Sequence, residues 1–166
     1  MADTSKSYAI TIARHGFMVM LVGMIGGFAF AFALIDEVKL WPIPSALADS
    51  FPGNPDRWRA VHVGCLLNGI MAVAFAAVAD RFAPTTRQAA WIKWGTVTTV
   101  WGNASFYIFA LMAPNRGLSM DGNALGAGNL AGVISFTSGM VAAFALFAVI
   151  IIFLRCATTA SKDEAS

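Results

Sequence analysis

Charged side chains are scarce in this chain of 166 residues. Asp, Glu, Lys and Arg make up 12% of it, whereas 58% is hydrophobic. Soluble domains carry about a quarter charged residues, so this composition is typical of a membrane protein. The formal net charge is only +2, and no block of like charge is present. The charge therefore gives no support to nucleic-acid binding, and we expect no nucleic acid among the partners.

Residues that commonly build metal sites or nucleophilic sites are equally rare. The chain has two cysteines, Cys65 and Cys156, and two histidines, His15 and His62. Two isolated cysteines form neither a metal-ligand spacing nor a disulfide framework. No histidine stands beside a serine or cysteine with a third residue to orient it. These absences argue against a zinc site and against a nucleophilic hydrolase.

Long apolar runs are what the sequence has in plenty. Four segments are long enough to cross a bilayer as helices that rise about 1.5 Å per residue. They cover approximately residues 14–36, 59–82, 88–112 and 130–155. The sequence therefore predicts an all-α fold, a four-helix transmembrane bundle forming a single membrane domain over residues 1–166. A cleaved signal peptide is the alternative for the first run, which exceeds the usual apolar region of about 7–15 residues.

An even number of spans places both termini on one side of the bilayer. The side that the termini share carries most of the Lys and Arg residues. The positive-inside rule therefore predicts cytoplasmic termini, and the expected location is a bacterial-type inner membrane. We predict that residues 1–7 form a disordered or interfacial tail.

A few polar side chains interrupt the apolar runs, and they cost free energy in lipid unless they have partners. His62 stands near the outer end of the second predicted helix, and Asn68 lies about 9 Å deeper. The third predicted helix runs the opposite way, which brings Asn103 and Tyr107 into the same outer half of the bundle. Thr99 precedes Asn103 by one helical turn, so we expect Thr99, Asn103 and Tyr107 to share one helix face.

His15 and Arg116 lie away from this group in the prediction. Because His15 stands at the start of the first span, we expect it at the inner end of the bundle. That position is most of a membrane thickness away from His62. Arg116, in a Pro-Asn-Arg-Gly segment, is either a loop anchor or a charge near the mouth of a site. We favour the anchor.

The polar side chains also have purely structural explanations. Interfacial histidines, belt tyrosines and amides that join helices are common in membranes. Their shared depth favours a site, and a single histidine suits haem, which needs only one axial protein ligand. A haem-binding electron-transfer subunit, a transporter and a scaffold remain alternatives at this point.

Six short motifs, taken in this order and spacing, resemble the styrene oxide isomerase family. They are Pro52-Gly-Asn-Pro, Trp58-Arg-Ala-Val-His, Leu67-Asn-Gly, Trp101-Gly-Asn, Phe106-Tyr-Ile-Phe and Pro114-Asn-Arg-Gly-Leu. The resemblance covers residues 52–126 well and is weaker in the first and last predicted helices. It implies a small four-helix membrane protein that assembles as a homotrimer and binds haem b at the subunit interfaces.

The resemblance also assigns roles to individual residues. It implies that His62 is the axial ligand of the haem iron and that Asn68 and Tyr107 position an apolar epoxide substrate. The implied reaction converts an aryl epoxide such as styrene oxide into an aldehyde, phenylacetaldehyde, and is formally an intramolecular oxidoreduction. We expect Lewis-acid ring opening at ferric haem and then a 1,2-hydride shift. Thr99 departs from the family pattern, which can carry an aspartate at that position.

Overall fold

The computed structural model describes residues 2–35, 54–82 and 84–164. Residues 36–53, which include the start of the first motif, lie outside the described residues. The described chain is organised into four α-helices, and a short 3-10 turn extends the second. The helices are α1 (Ala2–Ile35), α2 (Pro55–Ala79), α3 (Thr86–Ala110) and α4 (Leu130–Glu164), and the turn is Asp80–Phe82. The predicted all-α bundle is thereby confirmed.

The helices at the two ends of the chain are longer than predicted. α1 begins at Ala2, so the residues expected to form a tail are helical from that point. α4 continues to Glu164, well past the predicted end at residue 155. Neither extension contains Pro or Gly, and those residues are the usual signals that end a helix. The fall in hydropathy marks where an apolar span ends and leaves the helix itself uninterrupted.

Three helical segments are long and apolar enough to cross a membrane, by length and composition. They are Tyr8–Ile35, Pro55–Ala79 and Leu130–Ala157. These segments agree with the membrane protein that the composition predicts. α3 has a comparable length of 25 residues, but its many threonines and amides lower its mean hydropathy. The predicted span over residues 88–112 therefore stays a prediction.

α1 and α2 pack closely because glycines line their contact. A Cβ atom on Gly16 would stand 2.9 Å from the carbonyl oxygen of Gly69, and one on Gly23 would stand 3.0 Å from the nitrogen of Leu66. Such close backbone approach is typical of helices that associate in lipid. The contact holds the two helices side by side and fixes which residues of α2 face α1.

The core is drawn from all four helices, and the outside of the bundle is apolar. Buried side chains such as Ile12, Val61, Val100 and Val149 belong to one cluster. Large apolar side chains such as Phe28 cover the outer surface. An exposed apolar surface of this extent is typical of contact with lipid or with other copies of the chain.

Candidate active site

His62 lies on the face of α2 that packs against α1. Its Nδ1 atom is 2.8 Å from the carbonyl oxygen of Gly23. Because a carbonyl only accepts hydrogen bonds, Nδ1 carries the proton and donates it, which leaves the lone pair on Nε2. Histidines that ligate metals are usually held in this way, with the other ring nitrogen donating to a carbonyl or carboxylate.

A glycine on α1 makes the space for this imidazole. A Cβ atom on Gly27 would stand 2.5 Å from Nδ1 of His62 and 2.7 Å from Cε1. Any side chain at Gly27 would therefore push the ring away from the Gly23 carbonyl. Two glycines thus set the orientation of His62, one through its carbonyl and the other through its lack of a side chain.

This environment suits a single axial ligand of haem iron. In the part of the chain that the structure describes, no three His, Cys, Asp or Glu residues come together to hold a metal ion. Haem needs only one axial side chain from the protein, because the porphyrin supplies the remaining in-plane ligands. An imidazole whose Nδ1 donates to a carbonyl, so that Nε2 is the ligating nitrogen, meets that need.

Asn68, Asn103 and Tyr107 meet on another side of α2, where it contacts α3. The Nδ2 atom of Asn103 donates to Oδ1 of Asn68 at 2.7 Å, and Nδ2 of Asn68 donates to the carbonyl oxygen of Gly64 at 2.8 Å. The Tyr107 ring lies directly on Gly64, one helical turn before Asn68 on α2. The predicted convergence of these three side chains is therefore correct.

His62 and this polar cluster share a depth in the bundle and face in different directions. His62 and Gly64, the residue beneath the Tyr107 ring, are about 3 Å apart along the axis of α2 and about 160° apart around it. The cavity that Tyr107 lines does not include His62. A single chain therefore does not bring the predicted iron ligand together with the predicted positioning residues.

Tyr107 lines a cavity of about 510 Å³ at the end of the bundle where α2 begins and α3 ends. Its lining mixes apolar and aromatic side chains with polar and charged ones. The apolar ones are Ala60, Phe106, Ala110 and Leu118, and Asn54, Asp56, Arg57 and Arg116 stand beside Tyr107 as the polar ones. A lining of this kind can hold a small molecule that has both an apolar part and a polar atom.

The loop after α3 is organised by Asn115, which is fully buried. Its Nδ2 atom donates to the carbonyl oxygens of Ser119 and Asp121 at 2.9 and 2.8 Å, and its Oδ1 atom accepts from the Gly117 amide at 3.0 Å. Arg116 has a left-handed backbone with φ of 58°, and its exposed side chain lines the cavity. The favoured interpretation of Arg116 as the loop anchor is therefore wrong, because Asn115 holds the loop and Arg116 lies at the cavity mouth.

Thr99 does not join the polar cluster. Its hydroxyl donates to the carbonyl oxygen of Gly95 at 2.8 Å and lies 3.3 Å from that of Ala142 on α4. The expectation that Thr99 and Tyr107 share a face is wrong, because every four residues turn the side chain by about 40° around the helix. Over eight residues this turn amounts to about 80°, which carries the side chain from the α2 contact to the α4 contact.

His15 lies within a membrane-length segment, contrary to the expectation that it marks the inner end. α1 begins earlier than predicted, and the apolar segment runs from Tyr8 to Ile35. The Nε1 atom of Trp101 donates to Nδ1 of His15 at 3.0 Å. Gly23, the partner of His62, is about 12 Å further along α1. The histidines are closer than predicted, and the Nδ1 atom of each is held by a different partner.

Arg57 is a residue of this region that the sequence interpretation missed. Its Nη1 atom donates to the carbonyl oxygens of Ala110, Leu111 and Ala113 at 3.2, 3.1 and 3.0 Å. In the sequence, Arg57 looks like an interfacial charge at the start of a span. The available signal was indirect, since the last turn of α3 has no basic residue of its own.

Two comparisons with known proteins agree with these observations. The sequence profile of the family described as Styrene oxide isomerase matches residues 8–158, a range that includes His62, the polar cluster and the cavity. A styrene-oxide isomerase of Pseudomonas fluorescens is 28% identical to this chain over 120 residues, which cover 72% of this chain and 70% of that protein. The chain therefore belongs to the styrene oxide isomerase family.

Proposed function

We propose that this protein is a membrane-bound isomerase that converts aryl epoxides such as styrene oxide into aldehydes such as phenylacetaldehyde. The observation that best supports the proposal is the position of Tyr107, whose ring lies on Gly64 near the bonded Asn68–Asn103 pair and which lines a cavity together with apolar side chains. At about 510 Å³, the cavity falls within the usual size of small-molecule sites. The proposed location is a bacterial-type inner membrane with cytoplasmic termini, which the distribution of Lys and Arg supports.

We propose haem b as the cofactor and His62 as its axial ligand. The hydrogen bond from Nδ1 to the Gly23 carbonyl supports this role, because it leaves Nε2 as the ligating nitrogen. When bound, ferric haem supplies a Lewis acid that polarises the epoxide C–O bond. The role of this chain is to orient that ligand through Gly23 and Gly27 and to keep its second nitrogen protonated.

The proposed reaction rearranges bonds within one molecule and leaves its oxidation state unchanged. The C–O bond to the aryl-bearing carbon breaks, a hydride moves to that carbon from its neighbour, and the neighbour becomes the aldehyde carbon. In this scheme Tyr107 donates a hydrogen bond to the oxygen as negative charge develops there. Asn68, itself held by Gly64 and Asn103, orients the tyrosine hydroxyl.

The apolar side chains that line the cavity have a separate role in this proposal. The electron-poor carbon reacts with water to give a diol unless water is kept away from it. Phe106 and Leu118 line the cavity beside Tyr107, and apolar side chains of this kind exclude water and limit the poses of the aryl ring. An apolar epoxide also reaches such a site readily from the lipid bilayer.

We further propose that the chain forms a homotrimer with haem between subunits. In one chain His62 lies on one face of α2, and Tyr107 of α3 packs against the nearly opposite face of α2. A neighbouring copy in a closed ring would present its own Tyr107 and Asn68 to the haem held by His62 of the first copy. This arrangement reconciles the separation of the two groups with a single site.

The experiment that tests the function uses protein purified in detergent from cells supplied with haem. We expect a Soret band in the visible spectrum and conversion of styrene oxide to phenylacetaldehyde. Absence of the Soret band would contradict the cofactor, and absence of aldehyde from haem-loaded protein would contradict the reaction. Redox titration with a quinol tests the electron-transfer alternative, which requires reduction of the haem during turnover.

A further inference from the structure

Three contacts join α2 to α3 along one stripe of each helix. On α2 the stripe consists of Arg57, Gly64 and Asn68, which share one face to within about 40° because they are seven and four residues apart. On α3 the partners follow in reverse order, as expected for antiparallel helices. Arg57 meets the carbonyls at the end of α3, Gly64 meets the Tyr107 ring, and Asn68 meets Asn103. Tyr107 is therefore the middle contact of the three.

The middle contact does not fix its own position. The Tyr107 ring lies on Gly64, which has no side chain to interlock with it. The depth and tilt of the ring therefore depend on how α3 is held above and below it. The bond between Asn68 and Asn103 holds α3 to α2 below the ring. Above it, Ser135 of α4 donates to the Phe106 carbonyl at 2.8 Å, which holds the end of α3 to α4 and leaves its distance from α2 to a second bond between α2 and α3.

Arg57 supplies the second point of attachment. The last carbonyls of any helix lack partners within the helix and carry partial negative charge. α3 has no basic residue in its last turn, so the cation comes from the first turn of α2. The half-buried Arg57 side chain donates from a single nitrogen to the carbonyls of Ala110, Leu111 and Ala113, at the end of α3 and in the turn that follows it, at 3.0–3.2 Å. The turn that carries Tyr107 is thereby tied directly to α2.

We propose that Arg57 is a positioning residue for Tyr107. It holds the last turn of α3 at a fixed distance from α2, and this sets where the tyrosine hydroxyl stands relative to Asn68. Arg57 and Tyr107 also line the same cavity, so a shift of the helix end alters the cavity at the hydroxyl. The proposal deepens the proposed function and rests on it for its effect on turnover.

The effect on turnover is tested by measuring kcat for three variants, Arg57→Gln, Arg57→Lys and Arg59→Gln. We expect Arg57→Gln to lower kcat by about 10–100-fold with an unchanged Soret band, since misplacing a reacting group by about 1 Å costs that much. Arg57→Lys should recover part of the loss, because an ammonium group also donates several hydrogen bonds. Arg59→Gln is the matched control, since Arg59 is exposed and pairs with Asp56 at 3.9 Å; it should leave kcat unchanged.

The same substitutions in a Tyr107→Phe background separate positioning from a general structural role. If Arg57 acts through the tyrosine hydroxyl, Arg57→Gln should change kcat less than about twofold once that hydroxyl is gone, because coupled residues are not additive. Equal losses in both backgrounds would overturn the proposal, and so would an unchanged kcat in Arg57→Gln.

A readout independent of turnover uses the small number of tyrosines. The chain has two, Tyr8 and Tyr107, so protein labelled with 3-fluorotyrosine gives two ¹⁹F resonances, and Tyr107→Phe identifies one of them. We expect Arg57→Gln to shift or split the Tyr107 resonance and to leave that of Tyr8 in place. An unmoved Tyr107 resonance would overturn the positioning role whatever the activity. Wild-type protein that binds haem and converts no epoxide would contradict the proposed function alone.

Discussion

The two sides of α2 are built in different ways. On the side facing α1, His62 is held by a backbone carbonyl and packed against glycines. On the side facing α3, Tyr107 belongs to a network of side chains and opens onto a cavity. The first arrangement fixes one nitrogen atom in a close-packed seam. The second places a hydroxyl group where a small molecule can reach it.

This difference fits the proposal that one side of α2 binds the cofactor and the other side positions the substrate. A metal ligand needs a fixed orientation and a protonated second nitrogen, which a carbonyl and bare glycine provide. A group that binds substrate needs neighbours that orient it and space in front of it. Because α2 separates the contact with α1 from the contact with α3, cofactor binding and turnover should respond to different substitutions.

The largest effects are expected from the two central residues. His62→Ala should abolish the Soret band and reduce activity to background, because it removes the proposed ligand of the haem iron. Tyr107→Phe should keep the Soret band and lower kcat by about 10²–10³-fold, the usual effect of removing a donor that stabilises developing charge. Visible spectra and epoxide kinetics of the purified variants measure both. His15→Ala is the control, and it should keep haem: Trp101 donates to Nδ1 of His15, which places the proton of the neutral ring on Nε2, the opposite of the arrangement at His62.

A crossed result would show that the two sides are not distinct. Haem retained by His62→Ala would show that His62 is not the ligand. The other histidine of the chain, His15, would then be the next candidate. Haem lost by Tyr107→Phe would mean that the α3 side also binds the cofactor. Full activity of Tyr107→Phe would leave the hydroxyl without a role in turnover.

The second prediction asks whether the two sides belong to one site between subunits. Cells that produce His62→Ala and Tyr107→Phe together should form mixed trimers, and about a quarter of the interfaces would then combine an intact His62 with an intact Tyr107 from the neighbouring copy. We expect activity more than tenfold above that of either variant produced alone. The measurement is epoxide conversion by membranes with equal amounts of the two chains, distinguished by separate tags.

The control for this experiment is the doubly substituted chain, His62→Ala with Tyr107→Phe, produced with wild type. It leaves a quarter of the interfaces with both intact residues from wild-type chains, by the same counting. If the two single variants together give no more activity than either alone, the site lies within one chain and the arrangement between subunits is wrong.

Much of the α3 side could be predicted from the sequence because depth follows from simple geometry. The direction and rise of each helix are known once its ends are known, and these place Asn68, Asn103 and Tyr107 at similar levels. Polar side chains in apolar helices also seek partners. The contact between Asn68 and Asn103 confirms that interpretation.

The errors arose where geometry alone was insufficient. The spacing predicts that Thr99 shares a helix face with Tyr107. Each step of four residues turns the side chain around the helix, however, and Thr99 faces α4. His15 was placed at an inner end because the apolar run begins there, whereas α1 begins at Ala2. Arg57 was missed because its partners are backbone carbonyls, which no residue type announces. A sequence pattern predicts the faces and the length of a helix. It does not predict which side chain will bond to the backbone of another helix.

The third prediction compares two glycines, one on each side of α2, and its expected effects are the smallest. Gly27→Ala places a methyl group against His62, so it should weaken haem binding by about 10–100-fold through loss of the bond to Gly23. Gly64→Ala places a methyl group into the Tyr107 ring. It should leave haem binding unchanged and lower kcat about tenfold, because the hydroxyl shifts away from its productive position.

Both substitutions add one methyl group at a crowded helix contact, so each should destabilise the fold by a similar amount, about 1–3 kcal/mol. Thermal unfolding in detergent should therefore move in the same direction for the two variants. Haem titration of apoprotein should show weaker binding in Gly27→Ala. Steady-state kinetics with saturating haem should show a lower kcat in Gly64→Ala. Equal changes in both measurements for either variant would show that α2 transmits a disturbance from one side to the other. Separate changes would show that the same helix holds a ligand and a substrate-binding group independently, as its two faces indicate.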